Sequence, residues 1–191
     1  MKRCFVAMRI DDVARRELAA LAEDLGALPR RAALKLRPVK AASLHLTLKF
    51  LGNTPDGQVP EVLAAMTAVA AGLPPAPAAI VGLGAFPSPA QPRIVFAALG
   101  DGRDPITALA VRLEDAFEPM GFPREERTPH PHVTLARVER AKKSGPLTDF
   151  IAGHPTTPFG AVDGSAIVLF ESVLERRGAY YTRLGEALLQ G

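Results

Sequence analysis

The sequence lacks tryptophan and has a single cysteine, Cys4, among its 191 residues. A single thiol cannot form an intramolecular disulfide, so nothing in the sequence requires an oxidising compartment. The apolar run that begins at Cys4 ends before Arg9, short of the ~7–15 apolar residues of a signal peptide. We therefore expect a cytoplasmic protein.

Long uninterrupted apolar segments are also lacking. Residues 62–92 carry no charge, but Pro74, Pro75 and Pro77 divide them into pieces shorter than the ~20 residues that span a bilayer. We therefore expect no association with a membrane. The content of 48% hydrophobic and 23% charged residues excludes a disordered chain and indicates a folded domain with its own core.

The net charge is only +3, but the basic side chains are unevenly distributed. Residues 30–40 contain no acidic side chain, and a second basic group follows residue 136, interrupted by Glu139. The members of the two groups are Arg30, Arg31, Lys35, Arg37 and Lys40, and Arg137, Arg140, Lys142 and Lys143. Such clusters either attract a polyanion or belong to solvated loops, and the sequence leaves both possibilities open.

Hydrophobic periodicity predicts short strands separated by three helices. The strands are expected at residues 3–8, 34–39, 44–51, 79–86, 93–99, 132–138, 166–173 and 180–184. The helices are expected to begin after Asp11 or Asp12, at about Val59 and at about Pro105. This order predicts an α+β fold with largely antiparallel sheets.

A weak internal repeat accompanies this pattern. The segment RCFVAM at residue 3 resembles RIVFAAL at residue 93, and each is followed by a helix and then by a strand with a His-x-Thr motif. A duplicated strand–helix–strand unit predicts two lobes related by a pseudo-twofold axis.

The two His-x-Thr motifs are LHLTL at residues 44–48 and PHVTL at residues 131–135. Side chains alternate along a strand, so His45, Thr47 and Lys49 are expected to share one face, with the leucines and Phe50 on the other. In the same way His132 and Thr134 are expected to share a face. Each motif then presents an imidazole and a hydroxyl side by side.

Two imidazoles and two hydroxyls facing each other suit phosphate-ester chemistry. One imidazole can take a proton from water while the other donates one to the leaving oxygen, and the hydroxyls can hold the phosphate oxygens. This scheme needs no metal. Two alternatives stay open: a metallohydrolase with His45, His130 and His132 as ligands, and a nucleotide-binding or RNA-binding module without turnover.

The strings HLTLKFLG and PHVTLARV resemble the paired signatures of the 2H phosphoesterases. The segments RCFVAMRI, FPSPAQPRIVFAAL and LFESVLERRGAYYTRL narrow the resemblance to the RNA 2′,3′-cyclic phosphodiesterases, also called 2′-5′ RNA ligase-like proteins. The resemblance implies a single bilobal domain over residues 1–191, in which two antiparallel sheets, with helices outside, enclose a central cleft. It also implies hydrolysis of an RNA 2′,3′-cyclic phosphate to a 2′-phosphomonoester, with 2′-5′ ligation of tRNA halves as a reverse activity.

The same resemblance assigns roles to individual residues. It implies His45 as the proton donor, His132 as the proton acceptor, and Thr47 and Thr134 as phosphate-binding hydroxyls, without metal or nucleotide cofactor. Arg137 matches a basic position near the phosphate, although strict alternation would turn it away from His132 unless the strand bends. The substrate implied is RNA with a cyclic phosphate end, acted on by a monomer. His130 is not part of the signature, and His154 is expected in a surface loop.

Overall fold

The computed structural model describes residues 1–28, 34–141, 145–175 and 178–191, which form nine strands and four helices. The strands are β1 (Lys2–Met8), β2 (Leu34–Pro38), β3 (Leu46–Thr54), β4 (Ala78–Phe86), β5 (Ile94–Leu99), β6 (His132–Ala141), β7 (Pro158–Val162), β8 (Ala166–Glu175) and β9 (Gly178–Leu188). The helices are α1 (Asp12–Ala27), α2 (Val59–Ala70), α3 (Arg103–Phe117) and α4 (Gly145–Ala152). The predicted α+β fold is confirmed. None of the four helices is long and apolar enough to cross a membrane.

Most predicted elements are present within a few residues of their expected limits. Two elements were not predicted, α4 and β7. Both are short, and β7 begins with Pro158 and contains Gly160 at a φ of 102°, so neither carries a clear periodic pattern. His45 lies directly before β3 rather than inside it.

The start of α1 shows how local signals and tertiary contacts reinforce each other. Asp11 is the N-cap, and its Oδ1 accepts a hydrogen bond from the Ala14 N–H at 2.6 Å. Its Oδ2 accepts a second bond from the Ala161 N–H at 3.0 Å, which attaches β7 to the helix. The buried side of α1 consists of Ala14, Leu18, Leu21, Ala22 and Leu25.

All nine strands belong to one curved, antiparallel arrangement in the order β7-β4-β5-β6-β3-β1-β8-β9, with β2 paired to β6. It consists of two half-sheets, β3-β1-β8-β9 and β7-β4-β5-β6, which are the two predicted sheets. They join through a single residue pair, Leu46 opposite Val133. Helices α2 and α3 pack on the first half-sheet, and α1 and α4 pack on the second.

The two halves exchange strands. The repeats run β1-α1-β3-α2-β4 and β5-α3-β6-α4-β8, yet β4 pairs with β5 and β8 pairs with β1. Each half-sheet thus contains a strand from the other repeat. For this reason we propose that residues 1–191 form one bilobal domain. Phe5 pairs with Phe50 and Ile94 pairs with Arg137, and each partner is the fifth residue after its motif histidine. Phe5 and Ile94 therefore occupy equivalent positions in the two repeats, one residue away from the alignment that the sequence resemblance suggested.

One expectation about β3 is wrong. Thr47 pairs with Ala7 and Lys49 pairs with Val6, so Leu48 has no partner on β1 and forms a bulge. The bulge reverses the alternation: Lys49 turns into the core and Phe50 turns to the opposite face. The Lys49 Nζ donates to the Glu114 carboxylate at 2.7 Å and to the Pro123 carbonyl at 2.6 Å.

The Lys49–Glu114 pair is almost completely buried, with side-chain exposures of 1% and 6%. Lys49→Met should destabilise the protein by about 3–5 kcal/mol, because it leaves the Glu114 carboxylate buried without a counter-charge. The double variant Lys49→Met/Glu114→Met should be more stable than this single variant. Urea unfolding at pH 7 measures both, with the exposed pair Arg183–Glu186 as the control, where Arg183→Met should cost less than about 1 kcal/mol. Additive costs at Lys49 and Glu114 would contradict this account.

Candidate active site

The two His-x-Thr motifs meet where the half-sheets join. Leu46 and Val133, the joining pair, have side chains buried in the core, so the residues flanking them face the other side of the sheet. The antiparallel register directs His45 toward Thr134 and Thr47 toward His132. The structure therefore brings all four motif residues together on one face, in the cleft between the lobes.

His45 is held at both ring nitrogens. Its Nδ1 lies 2.8 Å from the Ser43 carbonyl oxygen, and its Nε2 lies 3.0 Å from the Thr47 hydroxyl. Since a carbonyl can only accept, Nδ1 carries a proton, and in the neutral ring Nε2 accepts from the Thr47 O–H. The lone pair of Nε2 is thus aimed at the motif's own hydroxyl.

His132 is held at one nitrogen. Its Nδ1 donates to the His130 carbonyl at 2.7 Å, which leaves a lone pair on Nε2 in the neutral ring. Across residues 1–28, 34–141, 145–175 and 178–191, no protein group bonds to His132 Nε2 or to the Thr134 hydroxyl. Both are half-buried and available to a ligand in the cleft.

Aromatic rings surround His45. The Phe5 ring centroid is 4.8 Å from its ring, and Tyr181 approaches edge-on at 5.1 Å. Burial lowers the pKa of His45 from 6.5 to about 4; the Ser43 carbonyl opposes this change, and the charge of His132 adds to it.

His132 has a similar environment in the other lobe. Phe86 and Phe96 each lie 5.1 Å from its ring. Burial is again the main reason that its pKa is lowered; the His130 carbonyl raises it and the charge of the His130 side chain lowers it. The larger shift is the one at His45. Both rings are therefore neutral near pH 7 in the empty cleft.

Arg137 faces the cleft because β6 bends. Val95 pairs with Ala136 and Phe96 pairs with Thr134, so Leu135 is a bulge at the position equivalent to Leu48. This bend is the exception to strict alternation that the sequence left open, and it puts Arg137 on the same side of β6 as His132. Burial raises the pKa of Tyr181, and the charges of Arg137 and Arg3 oppose that change. Arg137 is exposed and forms no ion pair within the described ranges.

The sequence is similar to those of a known superfamily. The profile of the 2′-5′ RNA ligase superfamily matches residues 10–168. This chain belongs to the 2′-5′ RNA ligase superfamily. The RNA 2′,3′-cyclic phosphodiesterase of Aeropyrum pernix is 30% identical over 151 residues, which cover 79% of this chain and 85% of that protein. The protein of the same name from Thermus thermophilus is 33% identical over 159 residues, which cover 81% and 76%.

Solved structures show that the fold is that of the superfamily as well. A Thermus thermophilus protein superposes with a TM-score of 0.79 at 28% identity, covering 99% of this chain and 98% of that one. Escherichia coli LigT, solved with 3′-AMP, superposes with a TM-score of 0.78 at 22% identity over 100% and 99% of the two chains. The resemblance to 2H phosphoesterases is therefore confirmed.

Some members of the two basic clusters lie close to an acidic side chain. Arg30, Arg31, Lys142 and Lys143 lie outside the described residues. Lys35 pairs with Glu139 at 2.7 Å, and the Arg37 Nε lies 3.9 Å from the same carboxylate. Arg37 also stands directly opposite Arg137 in the β2–β6 register. Two like charges at opposed positions repel each other, and the Glu139 carboxylate offsets part of this repulsion at Arg37.

The remaining histidines have different positions. His130 is exposed, its ring centroid 6.4 Å from that of His132. His154 is half-buried, donates from Nδ1 to the Phe150 carbonyl at 2.8 Å and contacts Phe150, so it is less exposed than a surface-loop residue. Within the part of the chain that the structure describes, no three or more His, Cys, Asp and Glu side chains are arranged to bind a metal, and His45, His130 and His132 do not form such a group.

Sequence reasoning did not identify the aromatic residues around the histidines. Phe5, Phe86, Phe96 and Phe170 come from strands other than those of the motifs, and only the pairing of the sheet brings them to the imidazoles. Tyr181, from β9, also lies against His45. The available signal was the position of Phe5 in β1, which the sequence places in the same repeat as the first motif strand.

Removing the Tyr181 ring should raise the pKa of His45. Because desolvation is the main cause of its low value, Tyr181→Ala admits water and should move the pKa from about 4 toward 6.5. Histidine titration followed by NMR measures this shift. The matched control is Tyr180→Ala, which removes an exposed neighbouring ring and should leave the His45 pKa unchanged. Equal shifts in both variants would contradict burial by Tyr181 as the cause.

Proposed function

We propose that this protein hydrolyses RNA 2′,3′-cyclic phosphate ends to 2′-phosphomonoesters by acid–base catalysis with His45 and His132. The observation that carries the proposal is the placement of two His-x-Thr motifs on one face at the junction of the half-sheets. The names of the relatives support the substrate, since both of those compared above are called RNA 2′,3′-cyclic phosphodiesterases.

The phosphate is expected to bind between the two motifs. The Thr134 hydroxyl can donate to one non-bridging oxygen, and the Arg137 guanidinium, which has no carboxylate partner in the described part of the chain, can neutralise the phosphate charge. The opposed Arg37 adds positive charge on the same face. An anion in this position also relieves the repulsion between the two arginines.

The reaction requires proton transfer on opposite sides of the phosphorus. The Nε2 lone pair of His132 takes a proton from water as the water oxygen forms its bond to phosphorus. The bond between phosphorus and the 3′-oxygen breaks, and that oxygen takes a proton from His45 Nε2. The products are a 2′-phosphomonoester and a free 3′-hydroxyl. The unoccupied Nε2 of His132 supports its role as the base.

Thr47 connects the protonation of His45 with phosphate binding. When His45 is neutral, the Thr47 hydroxyl donates to its Nε2. When Nε2 carries a proton it can no longer accept, so the hydroxyl proton becomes available to a phosphate oxygen. A bound anion raises the pKa of both imidazoles, which favours this charged form in the complex even though the empty site holds His45 neutral.

The proposal also includes a ligation reaction, a source of the RNA substrate, a cellular location and an oligomeric state. Formation of a 2′-5′ linkage uses the same step with the 5′-hydroxyl of a second RNA in place of water: its oxygen bonds to phosphorus, the bond between phosphorus and the 3′-oxygen breaks, and the 3′-oxygen takes a proton from His45. The reverse of this step cleaves the 2′-5′ linkage, and tRNA fragments are one source of cyclic phosphate ends. The substrate is expected in the cytoplasm and the enzyme is expected to act as a monomer. A binding module without turnover is the alternative, and measured hydrolysis decides between them.

His45→Ala and His132→Ala should each lower kcat by at least ~100-fold, the size of one acid–base contribution. The two variants should differ with a substrate whose 3′-oxygen is replaced by sulfur, a leaving group that needs no proton. This substrate should rescue His45→Ala and should not rescue His132→Ala. Measurement requires single-turnover hydrolysis of both substrates by both variants, with the position of the product phosphate identified.

Rescue of His132→Ala instead would reverse the two roles. Burial lowers the pKa of His45 to about 4 and so favours a neutral ring at the residue that is proposed as the acid. The rescue experiment therefore decides between the two assignments of acid and base.

Chelation is the control for the metallohydrolase alternative. Activity should survive excess EDTA, and loss with recovery on adding zinc would overturn the two-histidine mechanism.

The pH dependence should reflect the lowered pKa values. The pair needs one charged and one neutral imidazole, so kcat/KM should be bell-shaped with its maximum below pH 6.5, because both free-enzyme pKa values are lowered. The maximum of kcat should lie at higher pH, since the bound phosphate raises both pKa values. Rate profiles with a cyclic mononucleotide measure both quantities. A kcat/KM maximum above pH 7 would contradict the burial argument.

A further inference from the structure

The exposed phenyl ring of Phe50 lies beside the aromatic residues that surround His45. The Leu48 bulge turns Phe50 to the face that carries His45, and Phe50 is 58% exposed. Phe5, buried and directly opposite Phe50 in the register, links the two: its ring is 6.1 Å from Phe50 and 4.8 Å from His45. Phe50 therefore extends the aromatic surface of the site by one ring, away from the reacting atoms.

Phe50 also lines a cavity. The cavity has a volume of about 540 Å³ and lies between β3 and the loop before β6. Its lining is Phe50, Leu51, Gly52, Pro123, Arg124, Glu125, Glu126 and Arg127. This volume is within the range of ~300–1,000 Å³ that is typical of small-molecule sites.

The charges around the cavity do not select a phosphate, because its lining carries two arginines, Arg124 and Arg127, and two glutamates, Glu125 and Glu126, and so has no net charge. Arg124 is already bound to Asp115 and Glu118. Glu125 and Glu126 are exposed on the rim, where their carboxylates would repel a phosphate but can accept hydrogen bonds from the amino or imino groups of a nucleobase. A flat apolar ring with acceptors at its edge matches the face and edge of a base.

We propose that Phe50 and this cavity bind the nucleobase of the nucleotide that precedes the cyclic-phosphate end of the RNA. The inference rests on the proposed function. In this arrangement the terminal nucleotide has its phosphate between His45 and His132 and its base on the half-buried Tyr181 ring beside His45; Phe50 lies further along, with the buried Phe5 ring between Phe50 and Tyr181. Stacking of a base on an exposed aromatic ring needs no particular sequence, so the site recognises an RNA chain rather than a given base.

The test compares three substrates that end in a 2′,3′-cyclic phosphate: a mononucleotide, a dinucleotide, and the same dinucleotide with an abasic first ribose. The wild-type kcat/KM should be highest for the full dinucleotide, and removal of the first base should abolish this advantage. Phe50→Ala should lower kcat/KM about tenfold for the dinucleotide, the scale of one stacking contact, and leave the mononucleotide within about twofold.

Conservative variants and a matched control separate stacking from fold effects. Phe50→Trp should retain the advantage of the dinucleotide, and Phe50→Leu, apolar but without a π face, should lose most of it. Tyr180→Ala, which removes another exposed ring, should leave all three substrates unchanged. The inference is overturned if Phe50→Ala affects mononucleotide and dinucleotide equally, or neither. Failure of the wild type to hydrolyse any of the three would instead overturn the proposed function.

Discussion

β3 and β6 are paired at one position, Leu46 opposite Val133, and this contact joins the two half-sheets. Both side chains point into the core, so the flanking histidines and threonines must face outward into the cleft. On either side of this pair the strands leave each other and take other neighbours, β1 for β3 and β5 for β6. A longer pairing would close the cleft, and no pairing would separate the two motifs.

The same bulge occurs in both motif strands, and it determines which side chains reach the cleft. An extra residue after each threonine, Leu48 or Leu135, reverses the alternation and brings the fifth residue after each histidine back to the cleft face. In one lobe that residue is Phe50 and in the other it is Arg137. The two lobes have equivalent backbones but present a ring on one side and a positive charge on the other. A substrate with a base at one end and phosphates along its backbone matches this asymmetry.

Burial gives the histidines their chemical character. Rings from five other strands surround them, and burial makes the charged forms unfavourable, so both imidazoles are neutral near pH 7. In the proposed mechanism an anionic phosphate supplies the charge that permits one of them to be protonated. Substrate binding and protonation would then be coupled, with the Thr47 hydroxyl, which is bonded to His45 Nε2, taking part in the change.

The sequence by itself determined the α+β class, the family and the two His-x-Thr motifs, because these depend on local periodicity and on residues adjacent in the chain. The helix cap at Asp11 is equally local, since the aspartate and the Ala14 N–H that it binds are three residues apart. Only the tertiary structure decided where Lys49, Phe50 and Arg137 point, because a bulge depends on the register between strands that are distant in sequence. The aromatic residues around His45 could not be predicted from the sequence for the same reason. Phe5 and Tyr181 are far apart along the chain, and they meet at His45 only through the pairing of β1 with β3 and of β8 with β9.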